Sequence, residues 1–172
     1  MSLVLLGIAA QGSASTTHII DFEDLSGQAA VPSNYAGFQS WGNFEHYGWS
    51  QPPYNAHSGE QRVYSDGSMD ILIGHDISFE GAWFAGYYTA SFSLYDGGTL
   101  VHESAPIDLS ETPTFAASGY TGPVDRVVIN ATPGQFVMDD FQYSDTKAVP
   151  EPASMAALGL GALGIVKRRR KA

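Results

Sequence analysis

Apolar and polar positions alternate with a period of two along most of the chain, the mark of strands with one wet face. The first such run is Thr17 to Asp24, where Ile20 and Phe22 alternate with Asp21 and Glu23. Gly27 to Asn34 reads as a loop by composition. Short strands are expected at Gln61–Tyr64 and Met69–Ile73, and a longer one at Ile77–Tyr88, alternating around Phe79, Ala82 and Phe84 with a bulge at Gly81. Ala90–Tyr95 and Thr99–Ser104 flank Asp96-Gly97-Gly98, a strong hairpin signal. Thr114–Ala117, Val124–Asn130 and Gln135–Tyr143 complete the set, the last two joined by Thr132-Pro133-Gly134. No stretch between the two ends has helical periodicity. Nine or ten short strands with regular turn signals predict an all-β fold, an antiparallel β-sandwich of the jelly-roll type.

The region Tyr35 to Tyr54 breaks the pattern. It holds Tyr35, Phe38, Trp41, Phe44, Tyr47, Trp49 and Tyr54, interrupted by Gly37, Gly42, Gly48, Pro52 and Pro53. Such a segment cannot be a helix. It reads as short strands and a long aromatic loop reaching about Gln61.

The two ends are apolar in a different way. Met1–Ser15 has an apolar run, Leu3 to Ala10, followed by small residues; Ser13-Ala14-Ser15 fits a signal-peptidase site. The segment is short and has no positive n-region; a true start upstream of Met1 is one explanation, and a buried first strand is the alternative to a signal peptide. The other end joins Val149-Pro150-Glu151-Pro152 to the uncharged run Ala153–Val166 and then to Lys167-Arg168-Arg169-Arg170-Lys171. The run's 14 residues would make a helix of about 21 Å, short of a hydrocarbon core of about 30 Å. The basic block would sit on the cytoplasmic face and leave the rest of the chain outside. Gly159, Gly161 and Gly164 allow close approach of another helix.

This ending resembles the PEP-CTERM sorting signal of Gram-negative bacteria that make exopolysaccharide. The resemblance rests on Pro150, Glu151 and Pro152 with the spacing and basic end that follow them. It implies recognition and removal of the tail by an exosortase, an integral-membrane processing enzyme. The chain would be anchored in the membrane through its C-terminal helix until processed, then reside at the surface or outside the cell. The expected organisation is a signal peptide at 1–15, a β-sandwich domain at 16–146 and a sorting tail at 149–172, with one hydrophobic core in the middle part.

Charge sharpens the picture. The whole chain carries −10, but six of its eight basic residues are Lys147 and the five at the end. From Thr16 to Thr146 only Arg62 and Arg126 oppose 17 acids, a net −15. Such a body is repelled by nucleic acid and by anionic lipid. It suits calcium, or polymers that are neutral or bridged by cations. There is no cysteine, hence no disulfide, thiol nucleophile or thiolate metal site.

From Phe79 onward the order of elements resembles the non-catalytic sandwich domains of exported bacterial proteins, carbohydrate-binding modules among them. The parallel is carried by the long aromatic strand, Tyr95-Asp96-Gly97-Gly98, Val124 to Ile129 and Asp139-Asp140-Phe141. In many such modules carboxylates of the first and last strands hold a structural calcium ion. The residues matching them are Glu23 and Asp140, with Asp21 or Asp139 beside them. A sugar-binding surface is the second implication, since sugars stack their apolar faces on aromatic rings. Tyr35, Trp41, Tyr47, Trp49 and Tyr54 supply candidate rings, with Gln51, Asn55 and Glu45 nearby to bond hydroxyls. About half of the rings must be buried simply to close a sandwich.

Catalytic signals are weak. The five histidines show no metal-ligand spacing, and no nucleophile elbow, phosphate loop or dinucleotide fingerprint is present. With so many acids some carboxylate pair always exists, so hydrolysis cannot be read from their presence. The expectation is a surface or matrix binding module without turnover, directed at a polysaccharide. The competing readings are a secreted glycoside-active enzyme and a structural surface protein with no specific ligand.

Overall fold

The computed structural model describes residues 16–146. Both ends, with the predicted signal peptide, the sorting motif Pro150-Glu151-Pro152 and the C-terminal helix, lie outside the described residues. The described part is all-β and antiparallel. Its strands are β1 (Thr17–Ile20), β2 (Ala29–Ala30), β3 (Phe44–Tyr47), β4 (Arg62–Ser65), β5 (Asp70–Gly86), β6 (Thr89–Asp96), β7 (Thr99–Glu103), β8 (Ile107–Asp108), β9 (Thr114–Ala117), β10 (Val124–Ala131) and β11 (Phe136–Asp145). Hydrogen bonding runs β2-β3-β4-β11-β5-β10-β6-β7, with β1 on β11, β8 on β6 and β9 on β5. Among the described residues the only helical turn is a short 3-10 segment, Tyr35–Gly37, and no helix is long and apolar enough to cross a membrane.

The central strand is β5. The alternation predicts two strands there, but one strand of 17 residues runs through Gly74-His75-Asp76. Its first part pairs with β10 at Asp70 to Leu72 and again at Ile77, with residues 73–76 bulging out opposite Asp125 alone and Gly74 at φ 84. Its second part, Ile77 to Gly86, pairs with β11 on one side, and residues 81–84 pair with β9 on the other. β5 therefore carries the chain from one layer into the other. Phe92 on β6 packs against Phe79 and Phe84 on β5, at 4.8 and 5.6 Å between ring centroids. β10 separates these strands in hydrogen-bonding order, so the rings meet across the core rather than along one face.

The core is aromatic. Trp41 is only 2% exposed and contacts Phe22, Phe38, Phe44 and Phe141. Aromatic pairs of this kind, stacked with Phe38 and edge-to-face with the others, add about 0.5–1.5 kcal/mol each beyond the area they bury. The aromatic segment is thus partly a lid on the core.

One expectation shifts along the chain and one is met with an addition. β1 ends at Ile20, four residues early, because Phe22 adopts φ 61 and starts a turn in which Leu25 N–H donates to Phe22 O. Phe22 still points inward and is fully buried. The bulge expected at Gly81 is present in β5 and is joined by one opposite it: Gly81 pairs with Gln142 and Phe79 with Tyr143, leaving Glu80 as an extra residue in β5, while Trp83 pairs with Asp139, leaving an extra residue in β11. Asp140, inside the β11 bulge, has φ 44. Gly81 is required for another reason, since a Cβ there would lie 2.2 Å from Ala116 O.

Candidate functional site

Strands β3 and β4 and the loop between them build a groove at one end of the sheet. It is lined by Tyr47 and Tyr64 from the strands, Trp49, Gln51 and Tyr54 from the loop, Gln28 beside them, and Gly134, Phe136 and Val137 as floor. Its volume is about 290 Å³, at the small end for ligand sites. Tyr47 touches Trp49 at 4.8 Å and Tyr64 at 5.6 Å. None of the lining residues is an acid or a base.

The loop is held by a buried arginine. Arg62, 3% exposed, donates from Nε to Tyr54 O at 2.9 Å, from Nη1 to Glu60 O at 2.8 Å and from Nη2 to Trp49 O. Its guanidinium also lies 4.1 Å from the centre of the Tyr47 ring. No carboxylate pairs with it among the described residues. Backbone carbonyls and a π face therefore neutralise the cost of burying the charge. The result fixes Trp49 and Tyr54, the loop's two rings, relative to Tyr47.

The phenols stay neutral. Burial raises the Tyr47 hydroxyl, with Arg62 acting the other way. Burial, then Tyr87 and Tyr88, raise Tyr54. The hydrogen bond to Glu45, followed by burial, raises Tyr64. Tyr64 donates to Glu45 at 2.6 Å and accepts from Gln28 at 3.0 Å. Trp49, Tyr54 and Tyr64 offer ring surface and neutral hydrogen-bond partners above Tyr47, which is buried under Arg62.

Behind the groove the same loop is fastened to β11. Asp139 Oδ2 accepts from His57 N and Ser58 N, at 2.8 and 2.9 Å. His57 Nδ1 lies 2.5 Å from Asp140 Oδ2, and Ser58 donates to Asp140 Oδ1 at 2.9 Å. The His57 ring stacks on Trp83 at 3.5 Å. Glu23 Oε1 accepts from Glu60 N and Gln61 N, at 2.9 and 2.6 Å. Burial pushes the Asp139 carboxyl up to about 7, outweighing the N–H donors that favour its ionised form.

The five rings picked from sequence divide. Tyr47, Trp49 and Tyr54 meet in the groove. Trp41 does not; it is core, with Nε1 donating to Tyr35 O at 3.1 Å. Tyr35 stacks on Phe22 and donates its hydroxyl to Asp24, away from the groove. Gln51 lines the groove, whereas Asn55 donates to Glu111 O at 2.9 Å. The four acids proposed for calcium do not converge. Asp21 accepts from Glu23 N at 3.2 Å, while Glu23, Asp139 and Asp140 hold the 57–61 segment. Among the described residues no group of three or more acids and histidines is placed to hold a metal. Sequence reasoning passed over Tyr64, Gln28 and Arg62. Arg62 had a signal: it is one of two basic residues in a strongly acidic body.

Comparison with known proteins bears on the tail. Residues 148–171 match the PEP-CTERM protein-sorting motif. The chain carries this sorting signal. A signal of this kind marks an exported protein sorted through its C-terminus. No curated protein matches the chain. Among solved structures it is similar to two mutants of a family 29 carbohydrate-binding module, made to probe ligand recognition, each at 13% identity and a TM-score of 0.45. One alignment covers 76% of this chain and 93% of the module, the other 80% and 99%. Likeness at this level says nothing of ligand.

Proposed function

We propose that the protein is an exported, non-catalytic carbohydrate-binding module of the jelly-roll sandwich type that works at the cell surface or in the extracellular matrix. Its groove binds a glycan, with the producer's own exopolysaccharide as the natural candidate. One observation carries this: Trp49, Tyr54, Tyr47 and Tyr64 gather around a groove that also presents Gln28 and Gln51, with no acid in its lining and Glu45 meeting it only through Tyr64 and Gln28. Rings supply stacking faces and amides bond hydroxyls. A glycoside hydrolase needs a general acid at the scissile bond, so the same lining favours binding over turnover.

The chain divides, in this reading, into a leader at 1–15, the binding domain at 16–146 and the sorting tail at 149–172. An exosortase recognises Pro150-Glu151-Pro152 and removes the tail, which holds the protein in the inner membrane until then. Calcium has no part in the proposal, because Glu23, Asp139 and Asp140 already serve the loop. Titration of the protein with the producer's exopolysaccharide, followed by tryptophan fluorescence, tests the function. A saturable change lost in Trp49→Ala supports it, and no change with any glycan dismisses it.

A further inference from the structure

Tyr87 and Tyr88, between β5 and β6, are 50% and 66% exposed, among the most exposed large hydrophobic side chains of the described residues. Tyr88 has φ 67, a left-handed conformation that glycine or asparagine adopts at little cost and a bulky residue does not. The backbone there cannot relax, because Tyr87 N–H donates to Gln135 O and Leu109 N–H donates to Tyr88 O, both at 2.8 Å. Strain is thus retained to hold an aromatic ring in water, the opposite of what stability favours. An outlier of this sort points to function.

The pair is placed to extend the groove. Tyr87 packs edge-on against Tyr54 at 5.8 Å, and Tyr88 lies 6.4 Å further on. The rings therefore continue from Trp49 through Tyr54 to Tyr88. Gln51 in the groove and Gln135, whose Oε1 accepts from the Tyr54 hydroxyl at 3.4 Å, are neutral, and the charged residue paired beside Tyr88 is an acid, Asp108 opposite Thr89. The surrounding body carries −15, which repels uronates, sulfates and phosphates.

We infer that Tyr87 and Tyr88 form an outer subsite, so that the ligand is a long segment of a linear neutral polysaccharide rather than a short or acidic glycan. This rests on the groove being a glycan site, and the test separates the two. Neutral gluco-, manno- and galacto-oligosaccharides of two to six units, and oligogalacturonates of equal length, are titrated against the full chain. In the series that binds, affinity rises about tenfold, roughly the worth of one well-placed ring contact, between three and six units. Oligogalacturonates bind at least about tenfold more weakly. Tyr88→Asn and Tyr87→Ala remove the gain for the hexasaccharide, and Tyr88→Asn, which removes a ring that meets Tyr87 and no groove ring, leaves the trisaccharide unchanged and melts no lower than wild type. Equal affinity for three and six units overturns the outer subsite, as does equal weakening of both by Tyr88→Asn. Tighter binding of oligogalacturonate overturns the neutral ligand class. If Trp49→Ala abolishes binding while Tyr88→Asn changes nothing, the groove stands and the extension falls. If the wild type binds no member of the panel, both fall.

Discussion

Removing the Arg62 guanidinium is the sharpest perturbation of the site. Arg62→Met keeps the length of the apolar stem and deletes three hydrogen bonds to the carbonyls of Trp49, Tyr54 and Glu60, together with the contact on the Tyr47 face. Hydrogen bonds to a charged group contribute about 1.5–3 kcal/mol each. They are not additive here, because the loop can move and rehydrate its carbonyls, and the charge no longer has to be buried. A net loss of about 3 kcal/mol follows. For a domain of this size about 1 kcal/mol corresponds to roughly 4 °C, so thermal unfolding by circular dichroism drops by about 10 °C. Arg62→Lys falls between, because an ammonium keeps the charge but cannot reach three separated carbonyls with a planar fork. In both variants Trp49 and Tyr54 lose their fixed spacing, so glycan affinity weakens at temperatures where the fold persists. Unfolding within about 1 kcal/mol of wild type, with affinity intact, would refute the account of how the loop is held.

Stability should fall as pH rises from the ordinary carboxylate range toward 7. The folded Asp139 carboxyl sits at about 7 against an ordinary value of 3.8; the unfolded chain therefore loses the proton first, and ionisation favours unfolding across that window. The effect is at most about 4 kcal/mol, and Asp139→Asn flattens it in urea midpoints measured from pH 4 to 8. Calcium and chelator should leave the melting temperature of the full chain unchanged, since a bound ion would raise it; a rise of several degrees with calcium would restore the carboxylate site. Glu151→Ala should block tail processing and leave a larger, membrane-retained form on immunoblots of fractionated cells. Normal maturation of that variant would remove the exosortase from the account.

Period-two alternation was a good guide wherever one strand face meets the core and the other meets water. It placed β9 at Thr114–Ala117 without error and β10 within one residue. At Gly74-His75-Asp76 it expects a break, and there β5 runs on but bulges: Gly74 takes φ 84 and residues 73–76 stand opposite Asp125 alone. Loop composition suggests a break there, but pairing partners decide, and those are distant in sequence. The tail was legible because its motif is local and contiguous. The aromatic segment was legible as a group but not ring by ring. Burial of Trp41 and exposure of Trp49 follow from packing against Phe141 and from Arg62, neither of which is near in sequence. The acids at Asp139-Asp140 misled for a related reason. Carboxylates on a terminal strand resemble metal ligands until Asp139 is seen to accept from the backbone N–H groups of His57 and Ser58, and Asp140 to accept from the Ser58 hydroxyl beside the His57 ring.

The central claim is that the Trp49 groove holds a glycan. Its most direct test is isothermal titration of the full chain with the producer's exopolysaccharide, comparing wild type with Trp49→Ala and with Leu100→Ala as a control exposed apolar side chain outside the groove. The account predicts saturable binding by wild type and by Leu100→Ala, and loss of at least about tenfold in affinity for Trp49→Ala. Binding that survives Trp49→Ala unchanged, or no heat from wild type, would contradict it.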